Sequence, residues 1–137
     1  MGLRETLTRI LIEYPIAKTA PLEGHALAQF IRSDAENAVG EALGSEADGL
    51  IIQGSPGQGN WAAVPWISIF DPAITTSATR GFYVVYLFHA TKQAVHLSLN
   101  QGTPLSARSL ALGHEPYSST AESLCASECR NSRKVFL

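Results

Sequence analysis

The residues best suited to bind a ligand lie in a glycine-rich segment that is followed by two tryptophans. Glycine adds no side-chain bulk and tolerates positive φ, so such a loop lets the backbone approach a phosphate or enter between stacked bases. A tight turn between two strands is the structural alternative for the same glycines. The segment is Gly54-Ser55-Pro56-Gly57-Gln58-Gly59-Asn60-Trp61, and Pro65-Trp66 follows it.

Trp66 is a candidate for stacking on a flat ligand such as a nucleobase. Pro65 cannot donate a hydrogen bond to a neighbouring strand. This predicts an edge strand or a bulge, where a sheet exposes large aromatic side chains. The alternative is that Trp66 belongs to the core, as large aromatic residues commonly do.

Other kinds of chemistry find little support in the sequence. Gly57-Gln58-Gly59 is shorter than the dinucleotide-binding G-x-G-x-x-G pattern, and no Lys-Ser or Lys-Thr pair follows it. No nucleophile-elbow sequence surrounds a serine, and the histidines and cysteines lack the spacing of metal ligands. We therefore expect no enzymatic activity, no metal site and no cofactor.

Two helices followed by four strands are predicted. Apolar spacings of three and four place one helix before Pro15 and a second from Leu27 to Leu43. From residue 50 the period changes to that of strands, predicted at 50–52, 61–70, 82–88 and 94–99. The fold class is therefore α+β, with two N-terminal helices packed on a mostly antiparallel sheet of about four strands.

The last two predicted strands form a hairpin that turns at residues 91–93. In its second arm Val95, Leu97 and Leu99 alternate with polar residues, which predicts one buried and one solvated face. The first arm is apolar on both faces, so it should be central or line a pocket.

The pattern weakens after Gly102. We expect a folded domain over residues 1–102 and an irregular tail, truncated, frame-shifted or divergent, over 103–137.

Composition places the chain among folded proteins, and we expect it in the cytoplasm. Hydrophobic residues make up 45% and charged residues 16% of the 137 residues, which is typical of a globular domain. No apolar run is long enough to span a membrane. The formal net charge of -2 argues against holding nucleic acid by charge alone, although gripping one base in a pocket needs few phosphate contacts.

The segment from Gly57 to Trp66 resembles the G-x-G-N-aromatic-x-x-[IV]-P-W signature of McrB N-terminal domains. It is similar also to the MrcB-like domain of bacterial defence proteins. The resemblance continues through 75–77, 80–88 and 95–102, and it extends more weakly to the N-terminal helices.

This resemblance implies a noncatalytic module of a methyl-specific restriction or antiviral defence system. Its partner would be double-stranded DNA with a modified cytosine such as 5-methylcytosine. The domain would flip this base out of the duplex, and a separate GTPase motor and nuclease would cut the DNA. It implies a base pocket with Trp66 and Leu87, and Gln58 reaching into the duplex; Tyr117 is the candidate for the remaining pocket aromatic. The full set of expected DNA-binding residues is Gly57, Gln58, Gly59, Asn60, Trp61, Trp66, Arg80 and Leu87.

Among the basic residues, Arg80 is expected to neutralise a phosphate, whereas Lys92 and the basic residues of the tail are expected on a solvated surface. A second hypothesis is a protein-interaction or scaffold domain of a defence system, which uses the same apolar edge without binding DNA. Dependence of binding on cytosine methylation would separate the two hypotheses.

Overall fold

A helical layer covers one face of an antiparallel sheet in the computed structural model, which describes residues 1–89, 91–102 and 134–135. Within these residues the helices are α1 (Leu3–Ala17), α2 (Ala26–Arg32) and α3 (Asp34–Leu43), and a short 3₁₀ turn (Gly44–Ala47) follows. The strands are β1 (Ile51–Ser55), β2 (Trp66–Phe70), β3 (Gly81–Phe88), β4 (Val95–Gly102) and β5 (Lys134–Val135). Each strand pairs antiparallel with the next one in sequence. The predicted α+β class is confirmed.

The helices differ from the prediction at two points. α1 continues two residues beyond Pro15, to Ala17. Proline has a helical φ, and although it cannot donate to the carbonyl oxygen four residues earlier, the Lys18 N–H still donates to the Tyr14 carbonyl oxygen at 3.1 Å. The predicted second helix is divided at Ser33, whose φ of -138° and ψ of -68° are not helical. Its hydroxyl donates to the Gln29 carbonyl oxygen instead. No helix in the described part of the chain is long and apolar enough to cross a membrane.

The core lies between the helices and the sheet face that carries Ile67, Phe88 and Val95. Fully burying a large apolar side chain contributes about 1.5–3 kcal/mol, so this layer supplies most of the favourable free energy of folding. The helical residues buried in it are Leu7, Ile10, Leu11, Tyr14, Ala17, Leu27, Phe30, Ile31, Ala35 and Val39.

α2 approaches β1 so closely at Gly54 that no side chain fits there. A Cβ at Gly54 would overlap the carbonyl oxygen of Ile31. The Gly54 N–H donates to Glu36 Oε1 at 2.7 Å. Burial raises the pKa of the Glu36 carboxyl, and this hydrogen bond opposes the rise. The contact fixes where the chain leaves β1.

Substitution of Gly54 by alanine is expected to lower the free energy of unfolding by about 1–3 kcal/mol, since the new methyl group displaces the α2 backbone. Gly40 in α3 is the matched control. A Cβ there would meet only Ile52 Cδ1 at 3.5 Å, an ordinary contact. Gly40→Ala should therefore raise the free energy of unfolding by about 0.5–1 kcal/mol through helix propensity. Urea unfolding measures both, and equal effects of the two variants would contradict the close approach at Gly54.

The prediction of one buried and one solvated face is wrong for β4. Val95 is buried, but Leu97 and Leu99 on the same face are 38% and 68% exposed, whereas Asn100 on the opposite face is buried. The reason is the position of the helices: α2 and α3 contact β1, which lies at the edge of the sheet away from β4. An alternating pattern gives the two faces of a strand, but not which neighbours cover them.

Candidate nucleic-acid interface

Trp66 and Leu87 are direct cross-strand partners in the structure. Trp66 begins β2 and pairs with Leu87 of β3, which in turn pairs with His96 of β4. Residues paired in this way project from the same face of a sheet, with Cβ atoms about 5 Å apart. Because side chains alternate along a strand, this face is opposite to the one that packs Ile67 and Phe88 against the helices. Trp66 and Leu87 are both only partly buried.

β2 is a central strand, so the prediction of an edge position for Trp66 is wrong. β2 lies between β1 and β3. Pro65 is tolerated because it immediately precedes the strand, where its carbonyl oxygen accepts a hydrogen bond from the Phe88 N–H at 3.2 Å and no N–H is required of it. The predicted strand over 61–70 is also too long, since residues 61–65 belong to the preceding loop.

The glycine-rich loop, residues 56–65, is held by the phenol of Tyr14 in α1. The Tyr14 hydroxyl lies 2.8 Å from the carbonyl oxygens of both Pro56 and Ala62. A phenol has one proton, so it donates to one of these oxygens at a time. Burial raises the pKa of Tyr14, and the hydrogen bond with Ala62 offsets a smaller part of the rise.

A Tyr14→Phe variant is expected to lose about 1 kcal/mol of stability at neutral pH, because one buried hydrogen bond is removed. It should also be less sensitive to alkali. The folded state holds the Tyr14 proton more tightly than the unfolded chain, whose tyrosine pKa is about 10. Wild-type stability is therefore expected to fall as the pH rises above that value. Burial likewise raises the pKa of Tyr86, so the loss should be reduced and not abolished. Urea unfolding at pH 8 and pH 11 checks this, and parallel losses in both proteins would contradict it.

The two tryptophans of the motif have opposite environments. Trp61 donates its Nε1–H to the Ala20 carbonyl oxygen at 2.7 Å. Its ring packs edge-to-face against Tyr14 and His25, with centroids 5.2 and 5.0 Å away. The indole of Trp66, in contrast, makes no side-chain hydrogen bond or ring contact with another residue of the described segments. Trp61 therefore anchors the loop to the helices, whereas the ring of Trp66 is suited to stacking.

The tip of the glycine-rich loop is exposed, although its base is fixed. Gln58, Gly59 and Asn60 are exposed, whereas Gly57 is buried. Arg32 of α2 donates to the Gly57 carbonyl oxygen at 3.0 Å. Because the loop joins the end of β1 to the start of β2, Gln58 lies at the same end of the sheet as Trp66.

Arg80 lies far from the Trp66–Leu87 pair. The glycine-rich loop and the hairpin turn over 89–94 share one end of the sheet, which we call the hairpin end. Arg80 precedes β3 at the other end, about 23 Å from Leu87 along an extended strand. Lys92 is exposed in the hairpin turn, where its N–H donates to His89 Nδ1 at 3.2 Å. The expected residues other than Arg80 therefore gather at the hairpin end, and Lys92 lies there too.

Comparison with protein families identifies the kind of domain. The model of the MrcB-like N-terminal domain matches residues 9–127. The chain belongs to this family. In this MrcB-like domain the match includes the glycine-rich loop, β2 and the hairpin, and it continues past residue 102, where the folded domain was predicted to end. Searches of curated proteins and of solved structures found no match.

Two side chains of the MrcB-like domain near the pair were not selected from the sequence. Ser68 follows Trp66 by two positions, so the strand period places it on the same face, and that signal was available. His89 was not predictable, because its ring lies 6.1 Å from that of His96 only through the hairpin pairing. Tyr117 lies outside the described residues. Among the described residues no group of three or more His, Cys, Asp or Glu side chains could hold a metal ion.

Proposed function

We propose that this MrcB-like domain is the noncatalytic DNA-recognition part of a McrB-type restriction system, and that it holds a flipped-out 5-methylcytosine against Trp66 and Leu87. The observation that carries the proposal is the direct pairing of these two partly buried residues on one sheet face. A base removed from its stack needs a flat aromatic partner, and the ring of Trp66 makes no hydrogen bond or ring contact with another described residue. Membership of the family supports DNA as the ligand.

Leu87 is the apolar wall that would favour the methylated base. A methyl group moved from water against such a wall contributes about 1 kcal/mol, or roughly fivefold in affinity. Discrimination against unmodified cytosine is therefore expected to be modest, since the rest of the base makes the same contacts in both cases.

The exposed tip of the glycine-rich loop is suited to occupy the space that the flipped base leaves. Gln58 has both hydrogen-bond donors and an acceptor, so it can pair with the polar edge of the remaining base. Tyr14 and Trp61 hold the base of the loop against the helices. A loop held in this way loses little conformational entropy when DNA binds.

Electrostatics favour a small number of phosphate contacts. The formal net charge is -2, and exposed basic residues at or beside the hairpin end include Lys92 and Arg32. Each neutralised phosphate contributes about -0.9 to the slope of log affinity against log salt. Binding should therefore show a shallow salt dependence. DNA cleavage would come from a separate motor and nuclease.

The experiment that tests this function is a fluorescence titration of the chain against paired duplexes that differ by one 5-methylcytosine. A 2-aminopurine beside the target cytosine reports flipping, because its fluorescence rises when the neighbouring base leaves the stack. Preferential binding of the methylated duplex, with a rise in fluorescence, is the expected result. Equal or absent binding of both duplexes by a folded protein would overturn the proposal.

A second candidate function is that of a protein-interaction domain in the same kind of defence system. It is favoured by the exposed apolar side chains of Phe82, Leu97 and Leu99, which lie on the helix-bearing face of β3 and β4. Binding of a partner protein through this surface would not depend on DNA methylation. A Leu99→Asp variant that keeps methyl-dependent DNA binding but loses association with a motor or nuclease subunit would show that the two surfaces serve different partners.

A further inference from the structure

Ser68 has a buried hydroxyl with no hydrogen-bond partner in the described part of the chain. It lies in the middle of β2, and its side chain is fully buried. Its Oγ exposes less than 1 Å², so a water molecule cannot reach it. Buried hydroxyls are nearly always paired, because leaving one unpaired destabilises the folded state. An unpaired one therefore requires a functional or structural reason.

Ser68 is placed directly beside the proposed base site. It follows Trp66 by two positions on the same strand, so the two side chains project from the same face about 7 Å apart. Its cross-strand partner is Val85, and Val85 lies two positions before Leu87. Ser68, Trp66 and Leu87 therefore occupy adjoining positions of one sheet face.

Ser98 shows that the hydroxyls on this face can be paired. It is opposite Val85 on the other side, in the same row as Ser68. Its hydroxyl donates to Asn100 Oδ1 at 3.0 Å. Two serines of one row thus differ in one respect: Ser98 has a partner within the protein, whereas Ser68 has none among the described residues.

We propose that the Ser68 hydroxyl hydrogen-bonds the polar edge of the flipped base, an inference that rests on the proposed function. Trp66 and Leu87 are partly exposed, so a base that packs against them displaces side chains that already border solvent. It then brings hydrogen-bonding atoms to an oxygen that lacks a partner. The hydroxyl thereby selects a base with a polar edge over an apolar ring of the same shape.

The test compares two duplexes, one with 5-methylcytosine and one with 2,4-difluorotoluene at the same position, which keeps the shape of a methylated pyrimidine but hydrogen-bonds poorly. Difluorotoluene also pairs poorly with the opposite guanine and so flips more easily, which affects the wild type and the variant equally. The ratio of the affinities for the 5-methylcytosine and difluorotoluene duplexes should therefore be about tenfold larger for the wild-type chain than for Ser68→Ala. Because the variant removes an unpaired buried hydroxyl, its Tm should be unchanged or higher by up to about 5 °C.

Ser98→Ala is the matched control. It removes a paired hydroxyl, so it should lower the Tm and leave the preference between the two duplexes intact. A Ser68→Ala variant that still flips 5-methylcytosine and keeps the full preference would overturn the role of Ser68 alone. A wild-type chain that binds methylated and unmethylated cytosine duplexes equally, without a flipping signal, would overturn the proposed function and the role of Ser68 with it.

Discussion

A Trp66→Ala variant of this MrcB-like domain is expected to bind the 5-methylcytosine duplex about 100-fold more weakly and to give no flipping signal. Base stacking on an aromatic side chain contributes about 1–3 kcal/mol, and the upper end applies when the ring also shields the base from water. Without this contribution the flipped state no longer offsets the unstacking of the base, which costs a few kcal/mol. Titration of the variant against the methylated duplex at low salt measures the loss.

Lys92→Ala is the control for this prediction, because Lys92 lies at the same end of the sheet but acts by charge. It should weaken binding only a few-fold and reduce the salt slope by about 1, equally for methylated and unmethylated DNA. Trp66→Ala should leave the salt slope unchanged. Because the ring of Trp66 makes no ring contact or hydrogen bond with another described residue, the far-UV circular dichroism spectrum of Trp66→Ala should remain that of the wild type. A folded Trp66→Ala variant with wild-type affinity would place the base elsewhere.

The class of the fold was predictable because it depends on local periodicity. Apolar spacing identified the helices, and β-branched and aromatic runs identified the strands of the hairpin. The exposure of Leu97 and Leu99 was not predictable, because it depends on where α2 and α3 lie across the sheet. The edge position predicted for Trp66 was wrong because it depended on strand order. Pro65 lacks a backbone N–H, and such a residue is tolerated at a sheet edge but equally well just before a central strand.

The residues of the site were predictable mainly through the resemblance. The pairing of Trp66 with Leu87 needs the register of β2 against β3, which no spacing within one strand provides. The anchoring role of Trp61 depends on Tyr14 and Ala20, which lie in the helical region far earlier in the chain. The sequence could not show whether Arg80 or Lys92 lies nearer to the Trp66–Leu87 pair, because both are basic and their distances from the pair follow from the direction of β3. Long-range register and direction are thus what the sequence left undetermined.

A Gly57→Ala variant is expected to lose about 3 kcal/mol of stability and most of its DNA affinity. Gly57 has φ of 132°, a conformation that alanine rarely adopts, and a Cβ there would overlap the carbonyl oxygen of Asn60. The loop must therefore open, which moves Gln58 and withdraws the Gly57 carbonyl oxygen from Arg32. Both effects act on the part of the domain that we propose enters the duplex.

Gly59→Ala separates a strained backbone from a blocked one. Gly59 has φ of 71°, but a Cβ there meets nothing within 4 Å. The expected loss of stability is therefore only about 1–2 kcal/mol, from the backbone conformation alone. Gly57→Ala should therefore have a lower free energy of unfolding than Gly59→Ala, measured by urea unfolding, and a lower DNA affinity, measured by the duplex titration. If Gly57→Ala kept wild-type DNA affinity while its stability fell, the loop would have a structural role only, and contact with the duplex would have to come from the hairpin turn around Lys92, where the charge-dependent part of binding already lies.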